Sequence, residues 1–288
     1  ETFRDSKAPN VVETVGLLSR LDPEALSRYL PGRVREWPRS MHDRLVRYLA
    51  GSGAHDRGRL ILSILEDLDP LVRPMALDEV GLVGDDLCLP RLLELARGGI
   101  PAGSGPYLQV KAIEALGRAR APEAVALLRP LVEAKKMFGW VHPHEMRLAA
   151  AQALQRIDAQ WAQDFLPRSG LTPEELAVGP VDPDPNSACN RQRRYVRFRL
   201  HHSVAGVSVK ENARVDVAIL SLSGGAGACE QRFASGTLIT LRLGGRLRPA
   251  TLQAFVRTFR ANVLGFEFAE MDLEERHRLR RLIVETGG

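Results

Sequence analysis

The chain has 288 residues, 44% of them hydrophobic and 26% charged, with a formal net charge of +5. That length and composition suit a soluble globular protein with two cored domains, and no run approaches the ~18 apolar residues that would span a bilayer. The charge is uneven: residues 189–288 carry 17 Lys and Arg against 9 Asp and Glu, whereas residues 1–188 carry 23 against 26. The basic character thus belongs to the C-terminal third, which bears on anionic partners. Cys88, Cys189 and Cys229 are widely separated, forming neither a metal spacing nor a disulfide framework. They read as small apolar fillers in a reducing, cytoplasmic setting. No secretory leader pattern is visible, and the first residue is Glu rather than Met, so the native start is expected upstream.

Residues 1–178 read as a helical domain, with apolar positions at helical spacing broken every ten to fifteen residues by Pro or Gly. The first 66 residues suggest helices over 15–29, 42–50 and 57–68. A clearer unit follows. Asp69-Pro70 opens a helix bearing Val72, Arg73, Ala76, Val80 and Gly81, and a turn through 84–86 leads to a second helix over 89–96. The pattern returns at Leu108, Gln109, Ala112, Leu116 and Gly117, and again at Met146, Arg147, Ala150, Ala153 and Leu154. The starts are 36 and 38 residues apart, a solenoid-sized repeat. Small residues at these offsets let helices approach closely, and a hairpin that cannot bury its own apolar face stacks on a neighbour. These units resemble HEAT repeats, which implies an α-solenoid that binds an as yet unidentified protein partner.

Residues 179–189 hold four Pro/Gly residues in the nine from Gly179 to Ser187 and read as a stiff, extended linker. From residue 190 to 288 the periodicity changes to alternation, over 195–202, 214–220, 237–243, 255–260 and 264–268. Glycine pairs at 224–225 and 244–245 punctuate these runs. The expectation is a small antiparallel β-barrel closed by one helix over 273–283, with Asp272 as its cap and Glu275 three residues on. The fold class is therefore multidomain, α followed by β. His142-Pro143-His144 lacks a third ligand nearby and reads as a helix start. His201 and His202 are expected on opposite faces of a strand, one of them partly buried. Arg276, Arg278, Arg280 and Arg281 read as a solvated helix face. No nucleophile elbow, phosphate loop, catalytic carboxylate pair or zinc spacing is present, so the expected function is non-catalytic, without cofactor or metal.

Five arginines lie between 191 and 199, at the entrance to the strand-rich region. Guanidinium forks match phosphate oxygens and the O6/N7 edge of guanine. Arg193-Arg194-Tyr195-Val196-Arg197 supplies an Arg-x-x-x-Arg motif, and Ser221-Leu222-Ser223-Gly224-Gly225-Ala226 falls where [Asp/Asn]-x-Ser-x-x-Gly would stand. With the strand 264–268 and the terminal helix, this order resembles the PilZ domain, the bacterial receptor module for cyclic di-GMP. The resemblance implies that Arg193 and Arg197 hold phosphates and guanines, that Arg194 and Arg191 assist, and that Ser221, Ser223, Gly224 and Gly225 form the opposing turn. Ser221 replaces the family's Asp/Asn, and Ala226 its final Gly. The implied function is a cyclic di-GMP effector that couples nucleotide binding at the barrel to partner binding by the helical repeats. The alternative is a barrel that has lost the nucleotide and serves as a constitutive scaffold. Nucleic acid ranks last, because Tyr195 and Phe198 are the only aromatics beside the arginines.

Overall fold

A computed structural model of the chain describes residues 11–51, 56–84, 86–182, 184, 193–244 and 249–287. By internal contacts the chain divides into two compact units. Unit 1 comprises Glu1–Val125 and Asp182–Arg193, and unit 2 comprises Ala126–Val181 and Arg194–Gly288. Residue 178 marks a change of secondary-structure type, while the contacts group residues 126–181 with the barrel.

Unit 1 contains α1 (Val11–Leu21), α2 (Pro23–Tyr29), α3 (Arg39–Gly51), α4 (Arg57–Ser63), α5 (Arg73–Val83), α6 (Leu89–Ala96) and α7 (Pro106–Arg118). The single helix expected over 15–29 is split, because the Asp22 side chain accepts from Ala25 N–H at 2.9 Å and Pro23 starts a new first turn. α5 packs on both α4 and α7. The α5–α7 seam depends on small residues, since a Cβ on Gly81 would come within 3.0 Å of Ala115 Cα. The second residue of each repeated unit has a shared task. Arg73 donates to the carbonyls of Leu68, Glu66 and Ala102, and Gln109 donates to that of Ala96. These bonds satisfy carbonyls in the connecting segments and at the C-terminal end of α6, which have no helical partner.

A charged cluster lies inside the α5–α7 seam. Lys111 Nζ is 2.8 Å from Asp78 Oδ2, and Arg118 Nη1 is 3.4 Å from Asp78 Oδ1. All three side chains are 4% exposed or less. Asp78→Ala removes the carboxylate both cations face but leaves Glu114, 4.0 Å from Lys111 Nζ, and is expected to cost up to about 3–5 kcal/mol, read as a lowered denaturant midpoint. A loss near zero would contradict the pairing.

In unit 2, α8 (Val125–Glu133, its first residue in unit 1) leads to a hairpin of β1 (Lys135–Lys136) and β2 (Gly139–Trp140). Then come α9 (His144–Ile157), α10 (Ala159–Phe165) and α11 (Pro173–Ala177). Arg147, the third copy of the Arg73 position, stacks 3.6 Å from the Trp140 ring centre and donates to Ser169 O at 2.6 Å. The barrel follows as β3 (Phe198–Ser208), β4 (Ala213–Ser221), β5 (Gly224–Ala228), β6 (Leu238–Leu243), β7 (Ala250–Arg260) and β8 (Val263–Phe268), with α12 (Leu273–Thr286) last. All neighbours are antiparallel, and the closed order is β3-β4-β5-β8-β7-β6. Val215, Val217, Leu241, Leu252, Val256 and Leu264 fill the interior. Asp272 caps α12 as expected, accepting from Glu275 N–H at 2.7 Å.

Three expectations are corrected in the barrel. The 224–228 glycine cluster forms a strand, because its neighbours leave no room for side chains: a Cβ on Gly225 would lie 2.5 Å from Ile219 O. His201 and His202 are both exposed, within the irregular stretch between Arg199 and Val204 where β3 slips against β4. Tyr195 is 1% exposed and pairs with Pro180, so it is not available for stacking on bases.

Candidate functional site

Register gathers the barrel-borne candidates at one end of the barrel. β3 and β4 pair Phe198 with Leu220 and Arg199 with Ile219, and Arg197 immediately precedes β3 just as Ser221 ends β4. β4 pairs Ser221 with Gly224, and β5 pairs Gly224 with Glu267. Ser221, Gly224 and Glu267 thus form a row across three strands, with Arg197 at the entrance to the fourth, β3. Leu220 and Phe266 in the adjacent row are buried in the core, so alternation puts Ser221, Gly224 and Glu267 on the opposite face of the sheet.

Each of these residues is held differently. Arg197 is exposed, as is Arg193 at the edge of unit 1. Arg194 is half-buried and paired with Glu267 Oε1, and Arg257 Nε donates to Glu267 Oε2 at 2.6 Å. Glu267 therefore fixes Arg194 against the sheet, a role the sequence did not signal. Ser221 is 2% exposed, and its hydroxyl donates to Gly224 O at 3.0 Å, closing a two-residue hairpin over Leu222 and Ser223. Ser223 is half-buried, its Oγ 3.3 Å from that of Ser221. Gly224 has φ +154°, and a Cβ there would meet Phe266 O at 2.2 Å, so only glycine lets β5 approach β8 at this point. Gly225 pairs with Leu220 and Phe266 behind the row. Ala226 sits in extended strand between Ile219 and Gly265, without a positive φ. Arg191 lies outside the described residues.

The arginine segment is also tied to the helical part of its own unit. Val196 N–H donates to Gly179 O at 3.0 Å, and Val181 N–H donates to Arg194 O at 3.1 Å. Behind this pair, Arg156 Nη2 donates to Pro180 O at 2.6 Å, and Gln152 Nε2 donates to Val178 O at 3.0 Å. The start of the expected linker is thus paired backbone.

α12 corrects the reading of its arginines. Arg276 and Arg280 are 0% exposed and converge on Glu145, itself 1% exposed, near the start of α9. Arg280 Nε and Nη2 donate to the two Glu145 oxygens, each at 2.9 Å, and Arg276 Nε donates to Oε2 at 2.9 Å. Burial opposes ionisation of Glu145, but Arg280, then His277 and Arg276, outweigh it and hold the carboxyl far below the usual range. Arg280 Nη1 also donates to Glu175 O at 2.8 Å and to Val178 O. Arg278 and Arg281 do lie on the outer face and pair along the helix with Glu274, Glu275 and Glu285.

A separate concavity of about 840 Å³ runs between α9, α10 and α11, lined by Ala159, Ala162, Leu166, Leu171 and Leu176 among others. It is mainly apolar and holds none of the arginine-site residues.

Residues 191–285 match the family model of the PilZ domain. Among solved structures, the chain resembles the PilZ domain of CeSA from a cellulose-synthesizing bacterium. The identity is 15%, the match covers 31% of this chain and 96% of that one, and the TM-score is 0.27. No curated protein matches the chain. No described helix is long and apolar enough to cross a membrane.

Proposed function

We propose that this protein is a non-catalytic cyclic di-GMP effector. Its PilZ domain binds the nucleotide at the arginine end of the barrel, and its helical part engages a protein partner. The observation that carries this reading is the row of Ser221, Gly224 and Glu267, with Arg194 held by Glu267 and Arg197 at the start of β3. Arg197 and Arg193 are the guanidinium groups that take phosphate oxygens and guanine O6/N7. Arg194, already oriented by its carboxylate, adds a fork with little ordering cost. Arg191 precedes them in sequence and assists. On the opposite side, the Ser221–Gly225 hairpin offers the Ser223 hydroxyl and a close-set glycine backbone to the purine edge. Ser221 contributes by fixing the hairpin, since its hydroxyl is already bonded within it.

Coupling to the helices is supported by the backbone pairing of residues 194–196 with 179–181. A ligand that orders Arg193–Arg197 also selects a conformation of that pair, and Arg156, Gln152 and Arg280 pass the bias to α9 and α12. The shift is limited by the ligand's differential affinity for the two arrangements. Hydrogen exchange tests both parts. Saturating cyclic di-GMP is expected to raise protection at 194–197, at 221–226 and at 179–181. Protection at the first two without the third would remove the coupling, and unchanged exchange everywhere would remove the ligand.

A further inference from the structure

The fold brings together three metal-ligating side chains that lie far apart in sequence. They are His144 at the start of α9, Glu175 in α11 and His277 in α12, and a ligand atom of each lies within 4.8 Å of the other two. His144 Nε2 and Glu175 Oε1 are 2.8 Å apart. The two imidazole centroids are 4.9 Å apart, edge to face. All three residues are half-buried, open enough for an ion to enter and sheltered enough to hold one.

We propose that His144, Glu175 and His277 form a divalent-cation site of the zinc class. Zinc–ligand bonds of about 2.0–2.1 Å in a tetrahedron set neighbouring ligand atoms about 3.4 Å apart. The 2.8 Å between His144 and Glu175 and the 4.8 Å limit on the other separations leave only small side-chain adjustments to reach a common centre. Two imidazoles and one carboxylate are a ligand set for borderline divalent ions, with the fourth position left to water or an anion.

The surroundings supply the outer hydrogen bonds that such ligands need. Glu175 Oε2 already accepts from Thr172 N–H at 3.1 Å through the α11 capping box, which leaves Oε1 to face His144. His277 Nδ1 is buried without a hydrogen-bond partner, 3.6 Å from Glu145 Oε1. Closing that gap makes Glu145 the carboxylate behind a liganding histidine. The ion would displace the proton shared by His144 and Glu175 and fasten α12 to α9 and α11 within unit 2.

The test is a calorimetric titration of chelator-treated full-length protein with zinc chloride, repeated for His144→Gln, His277→Gln and a His201→Gln/His202→Gln control. The proposal expects one zinc per chain with Kd below about 1 μM. Either site variant should weaken binding about 100-fold or more, and the control should match wild type. Cobalt substitution should give the intense visible bands of a tetrahedral site in wild type, absent in the site variants. The variants are checked for folding by near-UV circular dichroism. No zinc heat from folded wild type, or binding lost in the control but retained in both site variants, would overturn the assignment.

Discussion

Glu145→Gln is expected to cost unit 2 about 3–5 kcal/mol. The wild-type carboxylate answers two guanidinium groups, both 0% exposed, and glutamine removes the charge on which both converge. Arg280 keeps its bonds to the Glu175 and Val178 carbonyls, which limits the loss. For a unit of this size the melting temperature should fall by about 2–4 °C for each kcal/mol. Replacing all three residues together with Leu and Met is expected to recover much of the loss, since the penalty comes from stranded charge rather than lost volume. The pH dependence has a fixed sign. The folded carboxyl is held far below its unfolded value of about 4.3, so its contribution is fully present above that value. It is lost as pH falls below about 4.3 toward the folded value, and Glu145→Gln should flatten that acid limb of the stability curve. A loss under about 1 kcal/mol in the single variant would show that the arginines find other partners.

Arg197→Ala is expected to weaken cyclic di-GMP binding by about 10- to 150-fold while leaving the fold intact. A charge-assisted hydrogen bond to a phosphate or guanine edge contributes roughly 1.5–3 kcal/mol, and a bidentate fork lies at the upper end. Arg197 is exposed at the mouth of β3, so truncating it should change stability by no more than about 0.5 kcal/mol. Arg197→Lys should restore charge but not the planar fork, and should recover only part of the affinity. Arg194→Ala should differ in kind, because it also removes a guanidinium partner of Glu267 and so lowers stability together with affinity.

Local signals in the sequence foretold local structure. Asp272 and Glu275 mark the start of α12, the repeated Ala and Gly positions mark the α5–α7 seam, and alternation marks five of the six barrel strands. β5 escaped because Gly224, Gly225 and Gly227 have no side chains to alternate. Their small size answers the backbones of β4 and β8 rather than a turn. At the candidate site, Arg197, Ser221 and Gly224 were legible as motif residues, and strand register pairs Ser221 with Gly224. Glu267 was not legible, because its partner Arg194 lies 73 residues away in sequence. The same blindness hid the inner face of α12. Two arginines four residues apart read as a solvated stripe until Glu145, 131 residues before Arg276, is folded against them. His144 likewise looked isolated, since its neighbours Glu175 and His277 belong to other helices.

The claim that the barrel end receives cyclic di-GMP is tested most directly by calorimetric titration of the full chain with that nucleotide, in parallel with Arg197→Ala. The account predicts saturable heat with a micromolar or tighter Kd in wild type and a loss of at least about tenfold in the variant. No heat from a folded wild-type sample, or equal affinity in the two proteins, would contradict it.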